Sequence, residues 1–269
     1  MVLAVLLISF LMISSVSAGL FDFLDDYTSV ENNETNLIVG YFTEFAPFEY
    51  TDDNGEVTGF DMDLAQEVCD RNNWTLVKQQ IIDGDTKKAE LESGGIDCIW
   101  SGFTINGREN DYAWSEPYYN NSQVFVVKKN SGISSFEDLE GKSIDVQMGS
   151  SSLDSLESNK TLKDKFENIN EIKEYDTVFM DLESGTCDAV LGDREVMRYK
   201  INTKFNPEEY MVLEPALCYE QYGIGFSKSN TELRDQVQKT LNEMYEDGTV
   251  EKIAQKYKDY GVPEGVIYP

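Results

Sequence analysis

From residue 36 onward, short apolar runs alternate with amphipathic stretches, and the alternation itself predicts the elements. Leu37-Ile38-Val39-Gly40-Tyr41 reads as a strand, and Phe60 to Arg71 as a helix with Leu64, Ala65, Val68 and Cys69 on one face. Lys78 to Ile82 reads as a strand, Thr86 to Ser93 as a short helix ended by Gly94-Gly95, and Ile96 to Ser101 as a further strand. Val124 to Lys128 is strongly β in character. A second unit of the same kind follows, with strands at Ser143–Gln147, Ile172–Tyr175 and Cys187–Leu191 and a helix at Asp176–Ser184. Strand–helix alternation of this kind predicts an α/β protein with mostly parallel sheets covered by helices.

Two segments echo each other. Leu91-Glu92-Ser93-Gly94-Gly95-Ile96-Asp97 and Leu182-Glu183-Ser184-Gly185-Thr186-Cys187-Asp188 each close a helix with Ser-Gly and open a strand around an Asp. This is a weak signal of two related lobes. The last long pattern, Thr231 to Tyr260, is helical, with Thr231 as N-cap, Leu233, Val237, Leu241 and Met244 on one face, and a break at Gly248.

The N-terminus changes the picture of where the chain works. Met1 to Ala18 is apolar or small and uncharged, and Val16-Ser17-Ala18 places small residues where a signal peptidase needs them. No positive n-region precedes it, so the segment reads as a leader whose start lies upstream or as an uncleaved anchor. An acidic spacer occupies 19–35. No Cys stands at the junction, so a lipid-modified N-terminal Cys is not expected. Export to a periplasmic or cell-surface location is the expectation either way.

Composition then removes whole classes of function. With 50 acidic against 22 basic residues the net charge is −28, which repels phosphate backbones and argues against nucleic acid as a partner. The chain has no His, so every His-based triad, general base and metal site is excluded. Cys69, Cys98, Cys187 and Cys218 match no metal or CxxC spacing, and they read equally as disulfide formers after export or as buried apolar residues. N-x-S/T sequons begin at Asn33, Asn73, Asn120 and Asn159. No metal or cofactor is expected.

Gly59-Phe60-Asp61-Met62-Asp63-Leu64-Ala65 resembles the signature of the bacterial extracellular solute-binding proteins of family 3. Around it lie, in the family's order, Ala46-Pro47-Phe48-Glu49, Ser101-Gly102-Phe103-Thr104-Ile105 with Arg108, Phe136 to Lys142, Gly149-Ser150-Ser151, Asp188-Ala189-Val190 with Asp193, and Tyr222-Gly223-Ile224-Gly225-Phe226. The similarity spans about residues 36–260. It implies a two-lobe α/β clamshell, with lobe one built from 36–120 plus 221–269 and lobe two from 121–220. Crossover hinge strands would lie near Asn121–Val126 and Cys218–Gly223. It also implies a monomer that captures a small amino acid and delivers it to the membrane permease of an ABC importer, and not an enzyme.

Binding a zwitterion needs an anion receptor, a cation receptor and a shaped wall. The resemblance assigns the first to Arg108, whose planar fork can bond both carboxylate oxygens, with Ser101, Gly102 and the Thr104 hydroxyl beside it. Ser150 and Ser151 would touch the carboxylate from lobe two, although a Ser-rich helix cap looks the same. Asp193 matches the acid that pairs with an α-ammonium; taken alone it reads also as the cap of a helix starting at Arg194. Phe45 matches the aromatic residue lying over the ligand, whereas Trp100 and Trp114 read as structural. Phe42 stands where relatives binding glutamine or basic amino acids carry Asp, Gln147 where a relative carries Lys, and Asp83-Gly84-Asp85 where an aromatic residue is usual. These departures point away from glutamine or lysine and toward a neutral or sulfur-containing amino acid. The competing readings are a cyclohexadienyl dehydratase-like enzyme on the same fold and a ligand-sensing ectodomain.

Overall fold

The computed structural model describes residues 35–82, 84, 86–173 and 175–269. The expected leader at 1–18 and the spacer up to residue 34 lie outside the described residues, as do Asp83 and Asp85. Along the chain the strands are β1 (Asn36–Tyr41), β2 (Tyr50–Thr51), β3 (Val57–Thr58), β4 (Thr75–Gln80), β5 (Cys98–Ile99), β6 (Ala113–Trp114) and β7 (Tyr119–Lys128). They continue as β8 (Ser143–Gln147), β9 (Asn168–Ile172), β10 (Ala189–Asp193), β11 (Tyr210–Val212), β12 (Cys218–Tyr222) and β13 (Gly225–Phe226).

Two large sheets result, besides the antiparallel pair β2-β3. The first has the order β4-β1-β5-β13-β6, with β1 parallel to β4 and β5, and β13 antiparallel to β5 and β6. In the second, β9, β8 and β10 are parallel, and β10 pairs antiparallel with β7. The opposite edge of β7 carries β12 at its start and β11 at its end. Each sheet is therefore mixed rather than mostly parallel as expected: it has a parallel half linked by strand–helix–strand crossovers and adds antiparallel strands on the side where the chain changes sheet. The chain passes between sheets twice, from β6 to β7 and from β12 to β13.

The repeated segments occupy equivalent places. Gly94 and Gly185 end their helices at φ of +78° and +79°, a region that favours glycine. The Asp97 carboxylate then accepts from Ile38 N of β1 at 2.8 Å, and that of Asp188 from Ser143 N of β8 at 3.0 Å. The backbone N–H of each Asp bonds back to the same residue's carbonyl, at 2.8 Å in both lobes. Each Asp therefore locks a helix exit to the neighbouring parallel strand.

Helix Phe60–Asn72 buries Leu64, Ala65, Val68 and Cys69, the face its spacing predicts. Helix Thr231–Glu246 buries Val237, Leu241 and Met244 against it, each worth about 1.5–3 kcal/mol of apolar transfer. Leu233 is half-buried, and the N-cap is Asn230 rather than Thr231. A second core in the other lobe gathers Phe125, Ile144, Val146, Leu156 and Leu191. Strands expected at 78–82 and 172–175 form earlier, at Thr75–Gln80 and Asn168–Ile172. Both are edge strands with half-exposed polar residues, so their pairing leaves no continuous apolar run to read. Among the described residues no helix is long and apolar enough to cross a membrane.

Candidate functional site

The centre of the site is one face of β7. This strand is buried almost throughout, yet it begins with polar residues, and Asn121 and Gln123 point to the same side. Register sets their partners: Asn121 lies opposite Glu220 of β12, and Gln123 lies opposite Asp193 of β10. The two amides span both neighbours. Asn121 Nδ2 donates to Asp193 Oδ1 at 2.6 Å and to Glu220 Oε1 at 2.7 Å. Gln123 Nε2 donates to the same two oxygens at 2.8 Å each. Its Oε1 takes a short hydrogen bond from Ser152 Oγ, an orientation that the two carboxylate oxygens at Nε2 require.

Asp193 is buried and also accepts from Tyr222 OH at 2.6 Å and Tyr175 OH at 3.0 Å. Glu220, equally buried, accepts from Thr104 Oγ1 at 3.0 Å and Ser151 Oγ at 3.3 Å. Burial pushes both carboxyl groups above the usual carboxylate range, the hydrogen bonds partly offset this, and the Asp193 charge raises Glu220 further. Every donor to the pair is neutral, and no Lys or Arg pairs with either carboxylate among the described residues. Uncompensated buried charge of this kind suits a cationic ligand group. Asp193 is the last residue of β10 and precedes helix Arg194–Lys204, but its side chain makes no capping hydrogen bond. The capping alternative therefore fails.

Arg108 lies between β5 and β6, strands of the first sheet. Its loop is held by Trp114 Nε1, which donates to the Arg108 carbonyl at 3.0 Å, and its guanidinium lies 5.6 Å from the centre of the Phe103 ring. Nη2 donates to Asp154 Oδ2 at 2.8 Å, so the expected carboxylate receptor is engaged by one of the protein's own carboxylates. Asp154 lies in the first turn of helix Ser151–Ser158.

Ser101 and Gly102 are set by a buried acidic pair. Ser101 Oγ accepts from Phe42 N at 2.9 Å and donates to Glu49 in a short hydrogen bond. Gly102 N donates to Asp61 Oδ2 at 2.7 Å, beside the Tyr118 hydroxyl at 2.8 Å. Gly102 adopts φ +51°, and a Cβ there would meet the Phe45 ring at 2.3 Å. Phe45 thus lies directly over this loop, with ring centroids 6.2 and 6.4 Å from Tyr175 and Tyr222, the phenols that hold Asp193.

The remaining expected residues divide. Ser151 reaches the cluster through Gln123 and Glu220. Ser150 does not: its hydroxyl accepts from Leu153 N and donates to the Gln147 carbonyl, so it serves as a helix cap. Among the described hydrogen bonds none joins the Gln147 side chain to the cluster. Phe42 packs with the apolar group around Ile81, Leu91 and Phe103. The site also contains Asn121, Gln123, Tyr175, Tyr222, Glu220 and Asp154, which sequence reasoning missed. The signal for three of them was available, as polar residues at alternate positions of two strands read as crossovers. Among the described residues no group of acidic or Cys side chains is arranged to hold a metal ion.

A family model described as bacterial extracellular solute-binding proteins, family 3, matches residues 37–260. The histidine-binding periplasmic protein of Escherichia coli (strain K12) is 31% identical over 239 residues, covering 86% of this chain and 90% of that protein. The arginine-binding extracellular protein ArtP of Bacillus subtilis (strain 168) is 28% identical, covering 84% of this chain and 88% of its own. An ABC uptake transporter substrate binding protein from Streptococcus pneumoniae, solved with bound histidine, superposes with a TM-score of 0.79. It shares 32% identity and covers 87% of this chain and 96% of its own.

Proposed function

The chain belongs to the bacterial extracellular solute-binding proteins, family 3, and from that membership we propose that it captures a free amino acid between its lobes and delivers it to the membrane permease of an ABC importer. The observation that carries this reading is that Arg108 pairs with the helix whose first residue, Ser151, reaches Gln123 and Glu220, beside a buried carboxylate, Asp193, that no Lys or Arg pairs with among the described residues. A zwitterion complements both at once. Its carboxylate would take the place of Asp154 on Arg108, with the Gly102 loop and Ser151 beside it. Its ammonium would sit against Asp193, and its side chain under Phe45.

Lobe one is taken as 36–120 plus 221–269 and lobe two as 121–220, with the hinge at the connections from β6 to β7 and from β12 to β13 rather than within the strands near Asn121–Val126 and Cys218–Gly223. Ligand binding favours closure because each lobe supplies part of the receptor, so only the closed state makes all the contacts. The relatives are named as periplasmic or extracellular binding proteins. For this chain the corresponding reading is an exported monomer that binds and releases its solute unchanged, with no catalytic step.

The test is a thermal-shift screen of protein freed of carried-over ligand, against the twenty amino acids, cystine and arogenate. A ligand present at about a thousand times its Kd adds about 4 kcal/mol of stability, hence several degrees. Arg108→Ala and Asp193→Ala should each abolish the shift while leaving the circular dichroism spectrum intact. Turnover of arogenate, with no shift from any amino acid, would replace the transport reading with an enzymatic one.

A further inference from the structure

Resting on the reading that Asp193 receives the ligand's ammonium, we infer that Glu220 forms the second wall of that seat, so that Asp193, Glu220 and the Asn121 carbonyl together select a primary ammonium. Register brings them together. Asp193 and Glu220 sit on the two strands that flank β7, opposite Gln123 and Asn121, and both carboxylates accept from the same two amide nitrogens. One of the amides is over-subscribed. Gln123 Nε2 has two hydrogens but lies within 2.8 Å of both carboxylate oxygens and 3.1 Å from Ser151 Oγ. Asn121 is 4% exposed, and its Oδ1, bonded to the same carbon as the donating nitrogen, is buried with no partner. Two buried carboxylates and an unpartnered amide oxygen are thus carried on adjacent strands, no Lys or Arg pairs with them among the described residues, and a primary ammonium carries three hydrogens for three such acceptors. A secondary amine leaves one acceptor unpaired, and a quaternary one leaves all three.

The surroundings reinforce the negative field. The titratable groups acting on the pair include Tyr175, Tyr222, Cys218, Glu195 and Glu49, all neutral or acidic. The cation next in the chain, Arg194, is turned to Ser122 and Glu214 instead. Burial and mutual repulsion favour a proton on the empty pair, and an entering ammonium favours its release. Binding then liberates protons on the acid side, and affinity rises with pH until the empty pair is ionised.

The experiment is calorimetric titration of the full chain, wild type and Glu220→Gln. The probe is whichever amino acid gives the largest thermal shift, in buffers of different ionisation heat at about pH 6. Expected are proton release by the wild type, a smaller release in the variant, which keeps Asp193, and at least about tenfold weaker binding by the variant. N-methyl and N,N,N-trimethyl forms of the same ligand should bind the wild type progressively more weakly, a measurement that stands even if the variant fails to fold. Undiminished affinity and proton count in Glu220→Gln would overturn the inference and leave the amino-acid reading intact. Tighter binding by the variant would also overturn it, showing that Glu220 instead competes with the ligand's carboxylate for Thr104 and Ser151. Binding of putrescine with no amino acid bound would keep the two-carboxylate seat and end the amino-acid reading. Silence toward both would end both.

Discussion

Arg108, between two strands of the first sheet, and Asp154, on the helix between β8 and β9 of the second, meet at 2.8 Å, so the proposed receptor for a ligand's carboxylate already holds one belonging to the protein. The Asp154 side chain is 64% exposed and that of Arg108 17%, a half-solvated pair of the kind worth at most about 1 kcal/mol. That energy is lost when a ligand displaces Asp154. Asp154→Asn is therefore expected to tighten ligand binding by about two- to fivefold and to weaken its dependence on salt. Equilibrium titration at low and high ionic strength checks both effects. Weaker binding by the variant would assign Asp154 to holding the lobes shut around the ligand rather than competing with it.

Asp97 and Asp188 perform one task in the two lobes, each tying a helix exit to the first residues of a parallel strand. Removing either side chain leaves a backbone N–H of β1 or β8 without its acceptor. Asp97→Ala and Asp188→Ala should each cost about 1–2 kcal/mol of unfolding free energy. Urea denaturation would show two similar shifts in midpoint. A much smaller effect at Asp188 than at Asp97 would mean that the repeat is one of sequence more than of mechanics.

The same pair shows what the sequence carries and what it hides. Helix closure by Ser-Gly followed by Asp is local, so both copies can be read from residue types alone. The buried faces of helices Phe60–Asn72 and Thr231–Glu246 are legible for the same reason, because 3.6-residue spacing records which side is covered. Edge strands β4 and β9 record nothing comparable and were placed several residues late. In the site, Arg108, Thr104, Ser151, Phe45 and Asp193 are approached through motif order. Asn121, Gln123 and Glu220 meet only because β7 lies between β10 and β12, a pairing no local pattern encodes. Ser150 shows the reverse case, in which a Ser-rich turn fits a ligand loop and a helix cap equally well and the fold uses it as a cap.

Gly102 is the position where a methyl group would do most damage. Its φ is +51°, and an added Cβ would stand 2.3 Å from the Phe45 ring, with its neighbouring ring atoms at 3.0 and 3.2 Å. The ring cannot retreat freely, since it packs against Phe48, Tyr175 and Tyr222. Gly102→Ala should cost about 1–3 kcal/mol of stability. It should also weaken ligand binding more than Asp97→Ala does, because it displaces Phe45 from above the site. Equal binding by the two variants would remove Phe45 from the ligand's surroundings.

Asp61 gives the protein a pH response of calculable sign. Burial pushes its carboxyl up to about 7, although Gly102 N–H and Tyr118 OH both favour the charged form. In the unfolded chain the same group titrates near the ordinary Asp value of about 3.9. Between these limits the folded state holds the extra proton, so the contribution of Asp61 is full below about pH 4 and is lost as pH rises through about 7. Glu195, pushed up to about 7 by burial, acts in the same direction. Unfolding midpoints measured across this window should fall with pH in the wild type. They should fall less steeply in Asp61→Asn, which keeps an acceptor for Gly102 and Tyr118 but has no proton to lose. A slope unchanged by the substitution would mean that Asp61 ionises in the native state near its ordinary value, with water reaching its Oδ1, the oxygen left without a partner.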